Sequence, residues 1–261
     1  MAGSLGAFLA GLILGSLVNV IITRLPRNES LWVPRSRCPR CRQPLAWYDN
    51  IPLISYVFLR GRCRACHTSI SWRYPLVELA GGLLLLALWH TFPSQLLWAY
   101  VPFCLILVAL CGIDLEHRLL PDAITLPGIL LGLIFAGLLS DLTLWASAAG
   151  ALGGAAVFGG VAWAYEKLTG RTGLGWGDVK LLAMIGAFLG WQALPWVILI
   201  SAGLGTLAGL LQVMRQDSGA RRQWRTLSLP YGPFLAIGAC CYLFGSVWLP
   251  AWSGAIMPRF L

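Results

Sequence analysis

Ten acidic residues occur in this chain of 261, and two of them stand where an ionisable group is costly. Asp114 closes a long apolar run in Gly112-Ile-Asp-Leu-Glu-His-Arg118, and Asp178 opens another in Gly175-Trp-Gly-Asp178. A carboxylate inside or at the lip of a membrane span is a functional candidate by default. Two carboxylates brought together by different helices do not both ionise, so one stays protonated while the other is charged. Such a pair can take a proton from water as it attacks an amide carbonyl and return a proton to the leaving amine. The plainer reading is helix capping. Asp178 precedes Val179-Lys-Leu-Leu182 as an N-cap would, and for Asp122, after Pro121, capping is the preferred reading. Capping does not account for Asp114, because a negative charge at the C-terminal end of a helix opposes the helix dipole. The glycines Gly175 and Gly177 would free the backbone for unusual dihedrals and for the approach of a substrate strand.

A second constellation is made of thiols. Cys38-Pro-Arg-Cys41 is followed, after 21 intervening residues, by Cys63-Arg-Ala-Cys66. Two such knuckles supply four thiolates to one tetrahedral Zn²⁺, and a full set of protein ligands makes the ion structural. A pair of disulfides or redox couples is the alternative, and a cytoplasmic position argues against structural disulfides. His67 is adjacent to Cys66 as a competing ligand. Cys104, Cys111, Cys240 and Cys241 fall within apolar runs and are read as small apolar residues.

The elements that must position these groups follow from composition. With 58% hydrophobic and 11% charged residues, the chain is far from the roughly 25% charged composition of soluble domains. It reads as an all-α polytopic membrane protein with eight spans, near 5–23, 76–92, 96–114, 123–140, 143–164, 178–192, 196–213 and 230–250. Outer turns carry Pro93-Ser94, Ser140-Asp141 and Pro195. The sixth span is short, which places Asp178 at a wet cavity or a thinned bilayer. Residues 24–75 form the one sizeable polar segment, so the chain divides into a first helix (1–23), a zinc-binding loop domain (24–75) and a helical membrane domain (76–261). Glycines in Gly150–Gly160 and Gly203–Gly209 suit close helix packing in lipid.

The net charge of +9 does not mark a nucleic-acid binder, because its placement has a simpler cause. Of nineteen Lys and Arg, eighteen lie in residues 24–73, at Arg118, in 167–180 and in 215–225, with Arg259 the exception. All four segments share one side of the membrane in the eight-span topology, and the positive-inside rule makes that side cytoplasmic. The first apolar run, Leu5–Ile22, has its positive charges after it, as a permanent helix does and a secretory signal does not.

Six ordered motifs make the chain recognisable. They are Gly15-Ser-Leu-Val-Asn-Val-Ile-Ile-Thr-Arg-Leu-Pro26, the two cysteine knuckles, Trp47-Tyr-Asp-Asn-Ile-Pro-Leu53, Arg73-Tyr-Pro-Leu-Val-Glu-Leu79, Ile113-Asp114 with Leu120-Pro-Asp122, and Gly173-Leu-Gly-Trp-Gly-Asp-Val-Lys-Leu-Leu182. Over most of its length the chain resembles the type IV prepilin peptidases, which belong to the GxGD aspartic membrane peptidases. The resemblance implies an inner-membrane enzyme that cuts a short basic leader, after a Gly, from prepilins or pseudopilins on the cytoplasmic face. It also implies N-methylation of the new N-terminal residue with S-adenosylmethionine as donor. The catalytic aspartates of the family carry over onto Asp114 and Asp178, and its structural zinc ligands onto Cys38, Cys41, Cys63 and Cys66. Glu116 suits a basic leader, and Lys180 either orients Asp178 or snorkels. Residues 24–75, edged by Asn19 and Glu78, are the expected methyl-transfer region, with Asp49, Asn50, Gly61 and Glu78 as its candidates. Two other functions compete with this one. The first is a GxGD protease acting within the spans of other proteins, against which the loop between spans one and two speaks. The second is a non-enzymatic assembly factor or transporter with a zinc loop, which predicts no cleavage.

Overall fold

The structure is a computed structural model that describes residues 2–33, 35–138, 142–170, 173–214 and 229–248. The expected turn at Ser140-Asp141, the basic run 215–225, Arg259 and the end of the last span lie outside the described residues. The described residues form helices and no named strand: α1 (Ala2–Arg24), α2 (Ile54–Phe58), α3 (Arg73–Thr91), α4 (Ser94–His117), α5 (Asp122–Leu138), α6 (Leu144–Thr169), α7 (Trp176–Leu189), α8 (Ala193–Met214) and α9 (Gly232–Trp248). All but α2 coincide with the eight expected spans. Five helices are long and apolar enough to cross a membrane on their own, α1, α3, α4, α6 and α8, while α5 and α9 are shorter apolar helices. The chain is a multi-pass membrane protein. It divides into two compact units, with the boundary after Ala109.

In the first unit α1 packs along α3 on small residues. A Cβ placed on Gly15 would lie 2.8 Å from the Cα of Glu78, and one placed on Gly11 would strike the Gly81 backbone. Only glycine permits this approach. The remaining face of α1 carries Leu5, Leu9, Ile13 and Leu17, all exposed. A helix apolar on its outward face belongs in lipid.

In the second unit α7 is the enclosed element. Val179 and every residue from Leu181 to Leu189 are buried, against α5 and α6. Its 14 residues span about 21 Å, short of a ~30 Å hydrocarbon core. A helix surrounded by other helices need not match the bilayer, so the short sixth span has its explanation here. The seam to α6 is backbone on backbone: a Cβ on Gly150 would strike the Gly186 carbonyl, and one on Gly154 would come 2.7 Å from the Leu182 oxygen. The Ser147 hydroxyl donates to the Ala187 carbonyl at 2.5 Å across the same seam. The second glycine run behaves differently, since nothing approaches Gly203 within 4 Å and Gly205 meets only the Tyr231 and Phe234 rings. Those glycines do not bring two backbones together.

Candidate functional site

Asp114 lies in the last turn of α4, which ends where Arg118 turns left-handed (φ 53) and donates its N–H to the Asp114 carbonyl at 2.9 Å. The side chain is buried, with the residue 6% exposed. Its Oδ2 accepts from the backbone N–H of Gly232 at 2.9 Å. Gly232 opens α9, where Phe234 and Leu235 donate to the Tyr231 carbonyl. The first N–H groups of a helix have no intrahelical partner and carry the positive end of its dipole. Asp114 is therefore misplaced on its own helix and well placed on another. A Cβ at Gly232 would sit 2.8 Å from Asp114 Oδ2, so any side chain there would have to displace the carboxylate or the start of α9. Sequence reasoning missed this residue. The signal was present in Pro230-Tyr-Gly-Pro233, a proline-flanked glycine just before an apolar run.

Asp178 does not cap α7. The helix begins at Trp176 with Gly175 as its N-cap, so Asp178 is the third residue in. Its N–H donates to the Gly175 carbonyl at 3.0 Å, and its carboxylate lies beside Gly175 at the start of the helix. Half-buried, it lies within electrostatic reach of the Asp114 carboxylate. The glycines of this motif are not in unusual conformations, since Gly175 has φ −70. Their role is proximity: a Cβ on Gly177 would come 2.8 Å from the Leu120 Cβ, and one on Gly175 3.3 Å from Asp178 Oδ2.

Asp122 and Lys180 answer each other. Lys180 Nζ donates to Asp122 Oδ1 at 2.6 Å, while the N–H groups of Ile124 and Thr125 are taken by the Pro121 carbonyl. The carboxylate of Asp122 thus tethers the start of α5 to α7, and the Lys180 amine reaches Asp122 where sequence reasoning assigned it to Asp178 or to the membrane surface.

The two cysteine knuckles repeat one another residue for residue. In each, the residue after the second cysteine is left-handed (Arg42 φ 59, His67 φ 53) and donates its N–H to the carbonyl of the first cysteine, at 2.9 and 3.0 Å. Each first cysteine donates in turn to the carbonyl five residues on, Cys38 to Gln43 and Cys63 to Thr68. The four sulfurs lie within 4.8 Å of one another, with Cys38–Cys66 at 3.8 Å and Cys41–Cys63 at 4.0 Å. Tetrahedral thiolates at a Zn–S distance near 2.3 Å are about 3.8 Å apart, so the set fits such an ion. The Cys41 and Arg40 N–H groups hold the Cys38 thiol down at about 7. The Gln43 N–H favours a thiolate at Cys41 too, but desolvation and the neighbouring sulfurs push it up to about 11. Four sulfurs so close together suit a bound cation, which would draw off their protons on binding. His67 lies outside the sulfur set.

Three of the other candidates in this region make contacts that hold the loop in place. Arg64 grips Asp49, Nη2 to Oδ1 at 2.6 Å and Nε to both oxygens at 3.1 and 3.2 Å. Gly61 is left-handed (φ 66) beneath the Tyr56 hydroxyl, where a Cβ would come within 2.9 Å. Glu78, 9% exposed on α3, accepts the Leu53 N–H on Oε2 at 2.9 Å. Leu53 itself has φ 59 and ψ −46, and Ile54 donates across it to the Pro52 carbonyl at 2.6 Å. That is the rare, strained form of γ-turn, held in place by Glu78.

A helical membrane protein with a carboxylate pair and a four-thiol loop is the class these observations define. Residues 9–92 match the family model for the bacterial peptidase A24 N-terminal domain, and residues 101–210 match the type IV leader peptidase family. A prepilin leader peptidase/N-methyltransferase of Aeromonas salmonicida is 40% identical over 88% of this chain and 86% of its own length. Proteins of the same name from Burkholderia pseudomallei (39% identical; 91% and 84% covered) and Myxococcus xanthus (40%; 96% and 75%) are similarly related. No solved structure matches the chain. The chain belongs to the type IV leader peptidase family.

Proposed function

We propose that this protein is a prepilin leader peptidase and N-methyltransferase. It removes the basic leader from prepilins or pseudopilins at the cytoplasmic face of the bacterial inner membrane and methylates the new N-terminal residue. Family membership supports both activities, and the observation that carries the first is the seat of Asp114. Its buried carboxylate is fixed by the Gly232 N–H in the same unit as Asp178.

Of the two acids, one starts ionised and the other protonated. The ionised carboxylate takes a proton from water as the water oxygen attacks the carbonyl carbon. The protonated one donates to the carbonyl oxygen to give a gem-diol. The carboxyl that took the water proton then gives it to the leaving nitrogen as the C–N bond breaks, and a diol hydroxyl returns its proton to the other carboxylate. Gly232 keeps Asp114 in register without charge of its own. Residues 76–261 carry this peptidase chemistry. Residues 24–75 form the zinc-binding domain associated with methyl transfer. Cys38, Cys41, Cys63 and Cys66 would hold one structural zinc with no position left open. The distribution of basic segments supports a cytoplasmic position for the loop and for the aspartates by the positive-inside rule, and the exposed apolar stripe of α1 faces lipid.

S-adenosylmethionine supplies an electrophilic methyl group when bound. The acceptor atoms at Asn19 and Glu78 meet one requirement of that reaction, a place for an ammonium group. Purified protein incubated with a prepilin and labelled methyl donor is expected to shorten the prepilin and transfer label to the shortened chain. An intact prepilin defeats the peptidase reading, and a shortened but unlabelled one defeats the methyltransferase reading.

A further inference from the structure

The seam between α1 and α3 holds a polar atom that the fold leaves unanswered. Asn19 is 3% exposed, and its Nδ2 donates to the Tyr74 carbonyl at 3.0 Å. A carbonyl only accepts, so the amide orientation is fixed by chemistry and the remaining atom is the acceptor Oδ1. Oδ1 has no partner. A buried acceptor without a donor costs about 1–3 kcal/mol, so an empty one calls for an explanation.

Its surroundings are also acceptors. Tyr74 and Glu78 stand one turn apart on α3, and Asn19, Ser16 and Gly15 are neighbours on the facing side of α1. At Gly15 the backbone of α1 is in contact with Glu78. The Glu78 carboxylate receives the Leu53 N–H, yet it offers about four lone-pair sites. The seam therefore combines a carboxyl group, a free amide oxygen and spare carboxyl lone pairs, within about a turn and a half of the loop-side ends of both helices. What suits this set is a cation with several donors on a compact centre, and a primary ammonium brings three. The Leu53 N–H, held in a strained turn, occupies one of the places such a group takes.

We propose that Asn19 Oδ1 and the Glu78 carboxylate form the seat for a primary ammonium group in the methyl-transfer half of this protein. The inference rests on the methyltransferase reading above and assigns residues to it. Two reactants carry that group, the free N-terminus of the cut chain and the amino acid portion of the methyl donor.

The test measures binding by calorimetry on the purified full chain in lipid nanodiscs. The first probe is a synthetic peptide with the N-terminal sequence of a processed prepilin, compared with its N-acetylated form. The second is S-adenosylhomocysteine. Wild-type protein is expected to bind the free amine about tenfold more tightly than the acetylated peptide, as charge-assisted hydrogen bonds imply. Glu78→Gln and Asn19→Leu are expected to cut that preference to less than about twofold, with bound zinc and melting temperature reporting that the fold is kept. If the peptide preference survives and S-adenosylhomocysteine affinity falls about tenfold, the seat holds the donor's ammonium group. Both affinities unchanged in folded variants would overturn the proposal and leave Asn19 Oδ1 to a structural water. Absence of label transfer by wild-type protein would sink the methyltransferase reading, a separate result from the binding ratios.

Discussion

The loop of residues 24–74 and the helix α7 are held together in opposite ways. Among the described residues of the loop, the only buried apolar side chains are Cys38 and Cys63, while Trp32, Trp47, Phe58 and Trp72 are largely exposed. Helix α7 buries ten residues in succession apart from Lys180 and rests on glycine seams. A segment with so little core depends on its backbone turns and, in the proposed reading, on a metal held by the four sulfurs. A helix enclosed by its neighbours depends on shape and tolerates no added volume. The difference teaches that the two proposed activities rest on independently stabilised parts, each open to damage without the other.

The sharpest separation comes from the aspartates. Asp114→Asn or Asp178→Asn is expected to lower prepilin cleavage by about a thousandfold or more, while zinc content and membrane insertion stay unchanged. Cleavage near the parent rate in either variant, followed by gel shift of the prepilin, removes that residue from the mechanism. Cys41→Ser attacks the other side of the comparison. Bound zinc is expected to fall from one ion per chain to a small fraction, with rapid proteolysis within residues 24–74 and continued protection of α7. Unchanged metal by elemental analysis would show that the four sulfurs are not the ligand set.

Much of this was legible in the sequence, for reasons that differ by region. The helices other than α2 among the described residues were readable because apolar runs declare themselves without a partner, and the four cysteines because ligand spacing is local. The carboxylates were readable because a charge at the end of an apolar run is conspicuous. Their partners were not. Nothing local in Asp114 names Gly232, more than a hundred residues away, and the bond between them exists only once α9 is placed. Asp122 illustrates the same limit. A Pro-Asp pair at a helix start reads as a cap, but the backbone N–H groups go to Pro121 and the carboxylate to Lys180, on a different helix. Gly175 and Gly177 were singled out in part for dihedral freedom, which the structure does not use, since Gly175 has φ −70 and Gly177 lies within α7 against Leu120.

Gly232→Ala probes how finely the carboxylate must be held. The added methyl would stand 2.8 Å from Asp114 Oδ2, so either the carboxylate or the start of α9 must shift by several tenths of an ångström. The backbone donor survives the substitution, and overpacking at one site costs about 1–3 kcal/mol. Cleavage is expected to fall about ten- to a hundredfold with zinc and loop protection intact, an effect smaller than losing the acid itself. An unaltered rate would mean that cleavage does not depend on the exact seat that Gly232 leaves for the Asp114 carboxylate.

The smallest effect belongs to the Lys180–Asp122 pair. At 2.6 Å the contact is close, but the side chains are 31% and 58% exposed, and ion pairs open to solvent contribute about 0.2–1 kcal/mol. Lys180→Met keeps the length and apolar stem of the side chain and removes only the charge. Thermal unfolding of the variant is expected to shift by a few degrees at most, and cleavage to fall by less than about threefold. If cleavage instead collapses while stability holds, Lys180 acts on the aspartates through more than its tether, and the site extends one residue further along α7 than the geometry of Asp178 alone implies.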